Sequence, residues 1–224
     1  MATDSRAVAR LVVDIRSDLR QRGIGSNASI RAVRRKWSKT LKAEPADQVM
    51  DVVAALAAVG SWPERQVAFE LLESHAGAFA MLTAARVEAL GEGLADWASV
   101  DLFGMTVAGP AWRDGFLSDA TIDSWTKSPD RWRRRLALVA TVRLNTPARA
   151  KSGDARRTLA VCRRLIPDRD DMVVKAMSWS LRELAKRDAA PVKRFLNDAG
   201  DSLAARVRRE VTNKLTTGLK HPRA

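Results

Sequence analysis

Residue types that support metal centres and disulfides are scarce in this sequence. Its 224 residues include one cysteine, two histidines and no tyrosine. A single cysteine excludes an internal disulfide framework, and His75 and His221 are isolated, so no cluster of metal ligands is formed. We therefore expect a protein that uses neither a metal nor a cofactor, in a reducing compartment.

Long apolar runs are also missing. The first segment, "MATDSRAVARLVVDIRSDLRQRG", is interrupted by charges too often to be a signal peptide or a membrane span. The sequence thus predicts a soluble cytoplasmic protein that does not contact a membrane.

Acidic residues are outnumbered by basic ones. Lys and Arg total 39 against 26 Asp and Glu, which gives a net charge of +13. Such an excess favours a polyanionic partner, most often nucleic acid, because cations that neutralise phosphates release condensed counterions. A generally positive, soluble surface without such a partner is the alternative.

Strand patterns are almost absent, and apolar residues recur at spacings of three and four, as in amphipathic helices. Short segments that contain glycine or proline separate the predicted helices, for example "AEP", "GSWPE", "AGP" and "IPDRD". We predict an all-α protein, a single α-solenoid domain over residues 1–224, built from HEAT-like antiparallel helix pairs around a concave basic groove. The predicted helices cover residues 4–20, 28–43, 46–59, 63–74, 78–90, 94–104, 119–126, 130–143, 154–165, 169–187, 190–198 and 203–217.

One tryptophan lies on the polar side of its predicted helix. In "DMVVKAMSWSLRELAKRD", Lys175, Trp179, Arg182 and Lys186 share one stripe, roughly opposite the apolar stripe. Trp179 either packs against a neighbouring helix and the lysine stems or lies on a surface that meets phosphates.

Two other segments carry residues of the same kind. "LADWASVDLFG" places Trp97 and Asp101 one helical turn apart, and "SPDRWRRRLALVATV" places Arg135 beside an apolar stripe. The spacings from Trp97 to Arg135 and from Arg135 to Trp179 are 38 and 44 positions, close to the period of about 40–47 residues in HEAT and armadillo repeats. These residues could therefore recur at equivalent places in successive repeats.

The segments "WASVD", "RWRRRLALVATV" and "VVKAMSWSLRELAKRD", in this order and spacing, resemble the bacterial AlkD-type DNA alkylation repair glycosylases, which have HEAT-like repeats. The resemblance implies that Trp97, Asp101, Arg135 and Trp179 line the lesion site. Members of that family can also place a tyrosine from the N-terminal helices near the lesion, and this chain has no tyrosine.

The resemblance implies hydrolysis of the N-glycosidic bond of cationic N3- and N7-alkyl purines in double-stranded DNA. We expect the protein to be a monomer. Asp101 would stabilise an oxocarbenium-like sugar and position water, and Arg135 would clamp a phosphate through its guanidinium fork. Further DNA contacts are expected from Arg134, Lys175, Arg182 and Lys186.

Two alternatives remain open. Asp101 could be no more than a carboxylate paired with a nearby arginine, and Arg134 could belong to a solvated basic face. The protein would then be a non-catalytic HEAT-like DNA-binding or adaptor protein, because a fold does not dictate an activity.

Overall fold

The computed structural model describes residues 4–22, 26–146 and 153–222, and every regular element within these ranges is a helix. The predicted all-α class is therefore confirmed. The chain divides into two compact units, Met1–Leu94 and Ala95–Ala224. The single domain over residues 1–224 stays a prediction.

The helices of the first unit are α1 (Ser5–Arg22), α2 (Asn27–Thr40), α3 (Ala46–Ala58), α4 (Trp62–Ser74), α5 (Ala76–Ala80) and α6 (Ala84–Leu90). Helix α2 is followed by a short 3₁₀ turn at Leu41–Ala43. Helix α1 packs on α2 and α3, α2 packs on α4, and α3 packs on α4.

The second unit begins with a helix in three parts: α7 (Trp97–Phe103), a π-helical segment (Gly104–Ala108) and α8 (Gly109–Arg113). A 3₁₀ turn at Gly200–Ser202 precedes its last helix. The other helices are α9 (Asp119–Thr126), α10 (Arg131–Leu144), α11 (Ala155–Arg164), α12 (Asp171–Ala185), α13 (Ala189–Ala199) and α14 (Ala205–Thr217).

Helices of the second unit alternate between two rows. Helix α12 packs against α10 on one side and α14 on the other, while α11 likewise lies between α9 and α13. Since α11 also contacts α10 and α12, consecutive helices pass from one row to the other. This is the packing of an α-solenoid, as predicted; its HEAT-like character and a concave basic groove stay predictions.

Helix α10 is enclosed along most of its length, because α7, α8, α9, α11 and α12 all pack against it. Its buried residues run without interruption from Arg135 to Val142. Arg135 is only 5% exposed. A buried guanidinium is costly unless its charge and its N–H groups are satisfied, so its partners identify the polar centre of this unit.

The predicted helix boundaries are wrong in two places. The helix predicted over residues 78–90 is split into α5 and α6, because the Thr83 hydroxyl caps a new helix by accepting from the Arg86 N–H at 3.2 Å. The helix predicted over residues 94–104 begins at Trp97 and does not stop at "AGP". Pro110 lies in the first turn of α8, directly after the π-helical segment.

Candidate active site around Asp101

Arg135 and Asp101 form a double hydrogen bond between α10 and α7. Arg135 Nε donates to Asp101 Oδ1 at 2.8 Å, and Arg135 Nη2 donates to Asp101 Oδ2 at 2.7 Å. The remaining arm, Nη1, donates to the Met172 carbonyl oxygen at 2.5 Å. One guanidinium thus fixes the carboxylate and links α7, α10 and α12.

Burial differs between the two partners. The Arg135 side chain is 6% exposed, whereas that of Asp101 is 18% exposed. Each carboxylate oxygen has two lone-pair sites, so the arginine leaves acceptor capacity on an edge that solvent reaches. Asp101 can therefore accept a further hydrogen bond from outside the pair.

The electrostatics of Asp101 reflect this position. Burial raises the pKa of the Asp101 carboxyl above its ordinary value, and the hydrogen bonds and charge of Arg135 oppose that rise. Arg135 therefore favours the ionised carboxylate, which is the form that can stabilise positive charge.

Trp97 begins the helix that carries Asp101. The Asp96 side chain caps α7 by accepting from the N–H groups of Ala98 and Ser99 at 2.9 and 3.0 Å. This cap places Trp97 at the first helical position, one turn before Asp101. Its side chain is 59% exposed, and it is the one exposed tryptophan in the described part of the chain. A large indole is thus presented to solvent beside the carboxylate.

The two lysines of the α12 stripe are paired within their own helix. Lys175 Nζ lies 2.6 Å from Asp171 Oδ2, and Lys186 Nζ lies 2.6 Å from Glu183 Oε1. Both lysine side chains are more than 40% exposed, at 42% and 43%. Asp171 is 53% exposed, so its pair with Lys175 contributes only about 0–1 kcal/mol and a DNA phosphate could replace it at little cost. Glu183 is 13% exposed, so replacing it would leave a mostly buried carboxylate without its partner.

Arg182 and Trp179 are half-buried, and Arg182 is linked to α14 through Ser178. Arg182 Nε donates to Ser178 Oγ at 3.2 Å, and Ser178 Oγ donates to the buried Glu210 Oε2 at 2.6 Å. Burial lowers the pKa of Arg182, while the Glu210 charge opposes this. This turn of α12 is therefore anchored to α14 by a polar network that sequence analysis missed.

Arg134 has partners of its own. Its Nε donates to Asp168 Oδ2 at 2.7 Å, and its Nη1 donates to the Ser128 and Pro129 carbonyls at 2.9 and 2.8 Å. The fork of Arg135, which sequence analysis assigned to a DNA phosphate, is likewise used inside the protein, on Asp101 and Met172. Both guanidiniums hold the protein's own groups in place here.

The structure joins Asp101 directly to Arg135, with Trp97 one turn away. Helix α12 takes part in this pair through the Met172 carbonyl. A main-chain acceptor carries no signal in a sequence, which is why Met172 was not anticipated.

No group of three or more His, Cys, Asp and Glu side chains that could hold a metal ion occurs in residues 4–22, 26–146 and 153–222. Over the same ranges, none of the helices has the length and apolar character needed to span a bilayer.

The molecule is an all-helical solenoid in which a buried arginine holds a partly exposed carboxylate. The family model described as DNA alkylation repair enzyme matches residues 15–215, and the chain belongs to that family. The resemblance noted from the sequence is confirmed at this level. No curated protein and no solved structure gave a match. Family membership supports a role in DNA repair, with DNA as the substrate.

Proposed function

We propose that the protein is a monofunctional DNA glycosylase, which hydrolyses the N-glycosidic bond of cationic N3- and N7-alkyl purines in duplex DNA. The observation that carries the proposal is the Asp101 carboxylate, held in place by Arg135 beside the exposed indole of Trp97. Family membership supplies the kind of substrate.

The chemistry asks for little beyond a fixed negative charge. As the bond between C1′ and the base nitrogen breaks, its electron pair neutralises the alkylated purine, which leaves without needing protonation. Positive charge then develops on the sugar, and a preorganised carboxylate stabilises it. Water forms the new bond to C1′ and loses its proton to solvent. Asp101 supplies the charge and accepts a hydrogen bond from that water.

Surrounding side chains would engage the DNA. The face of Trp97 attracts a cationic base through its quadrupole, by roughly 0.5–2 kcal/mol, and Trp179 would make a similar contact. Phosphates would draw Lys175 away from its exposed partner Asp171 and would approach the exposed Lys186 side chain, with Arg182 and Arg134 close to the same backbone. Arg135 acts on the reaction through Asp101.

Release of N7-methylguanine from duplex DNA under single-turnover conditions tests the proposal. Asp101→Asn should slow release by roughly 10- to 1,000-fold, corresponding to about 1.4–4 kcal/mol. DNA affinity should hold or rise slightly, because a negative charge near the phosphates is removed.

The matched control is Asp168→Asn. Asp168 is also a mostly buried aspartate paired with an arginine, Arg134, at 2.7 Å. If its loss slows release as much as Asp101→Asn at equal folded fraction, the effect is structural. Equal rates for wild type and Asp101→Asn would remove Asp101 from the mechanism. Wild-type protein that binds DNA but releases no cationic purine would instead be a non-catalytic DNA-binding solenoid.

A further inference from the structure

The helix carrying Asp101 approaches α10 unusually closely at Gly104. A Cβ atom at this position would lie 2.6 Å from Val139 Cγ1 and 3.0 Å from Val139 Cβ, whereas carbon atoms ordinarily pack about 3.5–4.0 Å apart. Rotating the valine side chain cannot relieve the contact with its Cβ. The two backbones can be this close only because residue 104 has no side chain.

A second glycine repeats the contact at the other end of the π-helical segment. A Cβ at Gly109 would lie 2.5 Å from Arg143 Cβ and 2.9 Å from the Ala140 carbonyl oxygen. The Gly109 N–H closes the π turn on the Gly104 carbonyl. Single π turns inside helices are frequent at functional sites. The segment is thus held against α10 at both of its ends.

The close contact lies one turn from the candidate active site on both helices. The Gly104 N–H donates to the Asp101 carbonyl, so the glycine follows Asp101 by one turn of its helix. Val139 follows Arg135 by one turn of α10. The Gly104–Val139 contact and the Asp101–Arg135 pair therefore depend on the same separation between the same two helices.

We propose that Gly104 is a positioning residue for Asp101: its missing side chain sets the separation at which the Arg135 fork reaches both carboxylate oxygens. The proposal rests on the function proposed for Asp101. A methyl group at residue 104 would push the helices apart by about 1 Å to restore ordinary carbon contacts. The bonds of 2.7 and 2.8 Å would then exceed hydrogen-bond range, which ends near about 3.2 Å.

The first measurement does not depend on catalysis. In Gly104→Ala, weaker pairing should raise the pKa of the Asp101 carboxyl further, because Arg135 no longer opposes the effect of burial. Carbon-detected NMR titration of the aspartate carboxyls, assigned with Asp101→Asn, reports this shift. Gly104→Ala/Val139→Ala removes the closest methyl and should bring the pKa part of the way back, since the Val139 Cβ remains. Val139→Ala alone is the control for the space that the missing valine methyl groups leave.

The second measurement is single-turnover release of N7-methylguanine. Misplacing a reacting group by about 1 Å can cost on the order of 100-fold in rate, so Gly104→Ala should be about 10- to 100-fold slower. The affinity for undamaged duplex should stay unchanged, and the double variant should recover part of the rate. A general loss of stability would not shift the pKa of Asp101 in Gly104→Ala, and it would not explain the partial return of that pKa in the double variant.

If Gly104→Ala does not fold, Val139→Ile tests the same contact from α10, because Val139 is fully buried and the added methyl needs room. A folded Gly104→Ala protein whose Asp101 titrates as in wild type would overturn the proposal, whatever its rate. If wild type releases no base, the proposed function fails, while the titration still decides whether Gly104 positions Asp101.

Discussion

Substitution of Arg135 by methionine would remove the buried guanidinium and keep a long, unbranched side chain. Three hydrogen bonds would be lost: two to the Asp101 carboxylate and one to the Met172 carbonyl. The carboxylate would remain in a site that is 18% exposed, without its counter-ion. We expect this single change to affect both stability and the ionisation of Asp101.

The magnitude follows from the burial of the pair. Breaking a buried ion pair by removing one partner typically costs about 3–5 kcal/mol. Because water reaches one edge of Asp101, we expect the lower end, about 3 kcal/mol. In a chain of this size each kcal/mol lowers the Tm by about 2–4 °C, so Arg135→Met should melt roughly 6–12 °C below wild type.

The loss of stability in Arg135→Met should also depend on pH. Burial already raises the pKa of Asp101, with Arg135 opposing it, so removing Arg135 raises that pKa further. A carboxyl whose pKa is raised by folding favours the folded state below its unfolded pKa, and this contribution disappears as the pH rises through the folded pKa. The stability gap between variant and wild type should therefore be small in acid, where Asp101 is protonated, and should widen towards neutral pH.

Thermal and urea unfolding at several pH values measure both effects, with Arg134→Met as the control. Arg134 is a neighbouring arginine with a comparable aspartate partner, but its side chain is 21% exposed, so its loss should cost less. The reasoning would be refuted by an Arg135→Met variant that is no less stable than Arg134→Met, or by a stability gap that does not change with pH.

Further predictions concern activity and binding. The rate of N7-methylguanine release, corrected for spontaneous depurination, should fall on acidification. The apparent pKa of this fall should lie above that of an ordinary aspartate, because burial raises the pKa of Asp101. A pH–rate profile with the pKa of an ordinary aspartate would contradict this. Trp97→Ala should slow release with little change in Tm, since the indole is 59% exposed; an unfolded variant would show that Trp97 is structural. Duplex affinity should fall steeply between about 50 and 200 mM salt, and Asp171→Asn should tighten binding by freeing Lys175; a salt-independent affinity would exclude phosphate contacts.

Much of the fold could be predicted because the signals are local. Apolar spacing and capping residues mark most helices within a few residues, as for α3 and α9. "AGP" was misinterpreted because glycine and proline usually end helices, whereas Gly109 and Pro110 here begin α8. The helix continues through "AGP" where it packs closely against α10, and this tertiary contact is not contained in any local sequence pattern.

Prediction of the candidate site was uneven for the same reason. Asp101 and Arg135 could be selected from their segments, and an arginine partner for Asp101 was one of the alternatives. Because 34 positions separate the two residues, no local pattern identifies Arg135 as that partner. The pairing of Lys175 with Asp171 could have been found, because the two residues are one turn apart on the same helix. The stripe on α12 is consequently less positive than its lysines and arginine alone suggest.

The pairing of Asp101 with Arg135 also addresses a difficulty inherent in the proposed function. DNA phosphates approaching a carboxylate favour its protonation, because like charges raise the pKa of an acidic group. Burial acts in the same direction on Asp101, yet the reaction needs the ionised form. A guanidinium remains charged at any relevant pH, and Arg135, being 5% exposed, is shielded from the phosphates that would otherwise compete for its donors. Its burial would thus keep Asp101 negative when DNA is bound, a role that an exposed phosphate clamp could not perform.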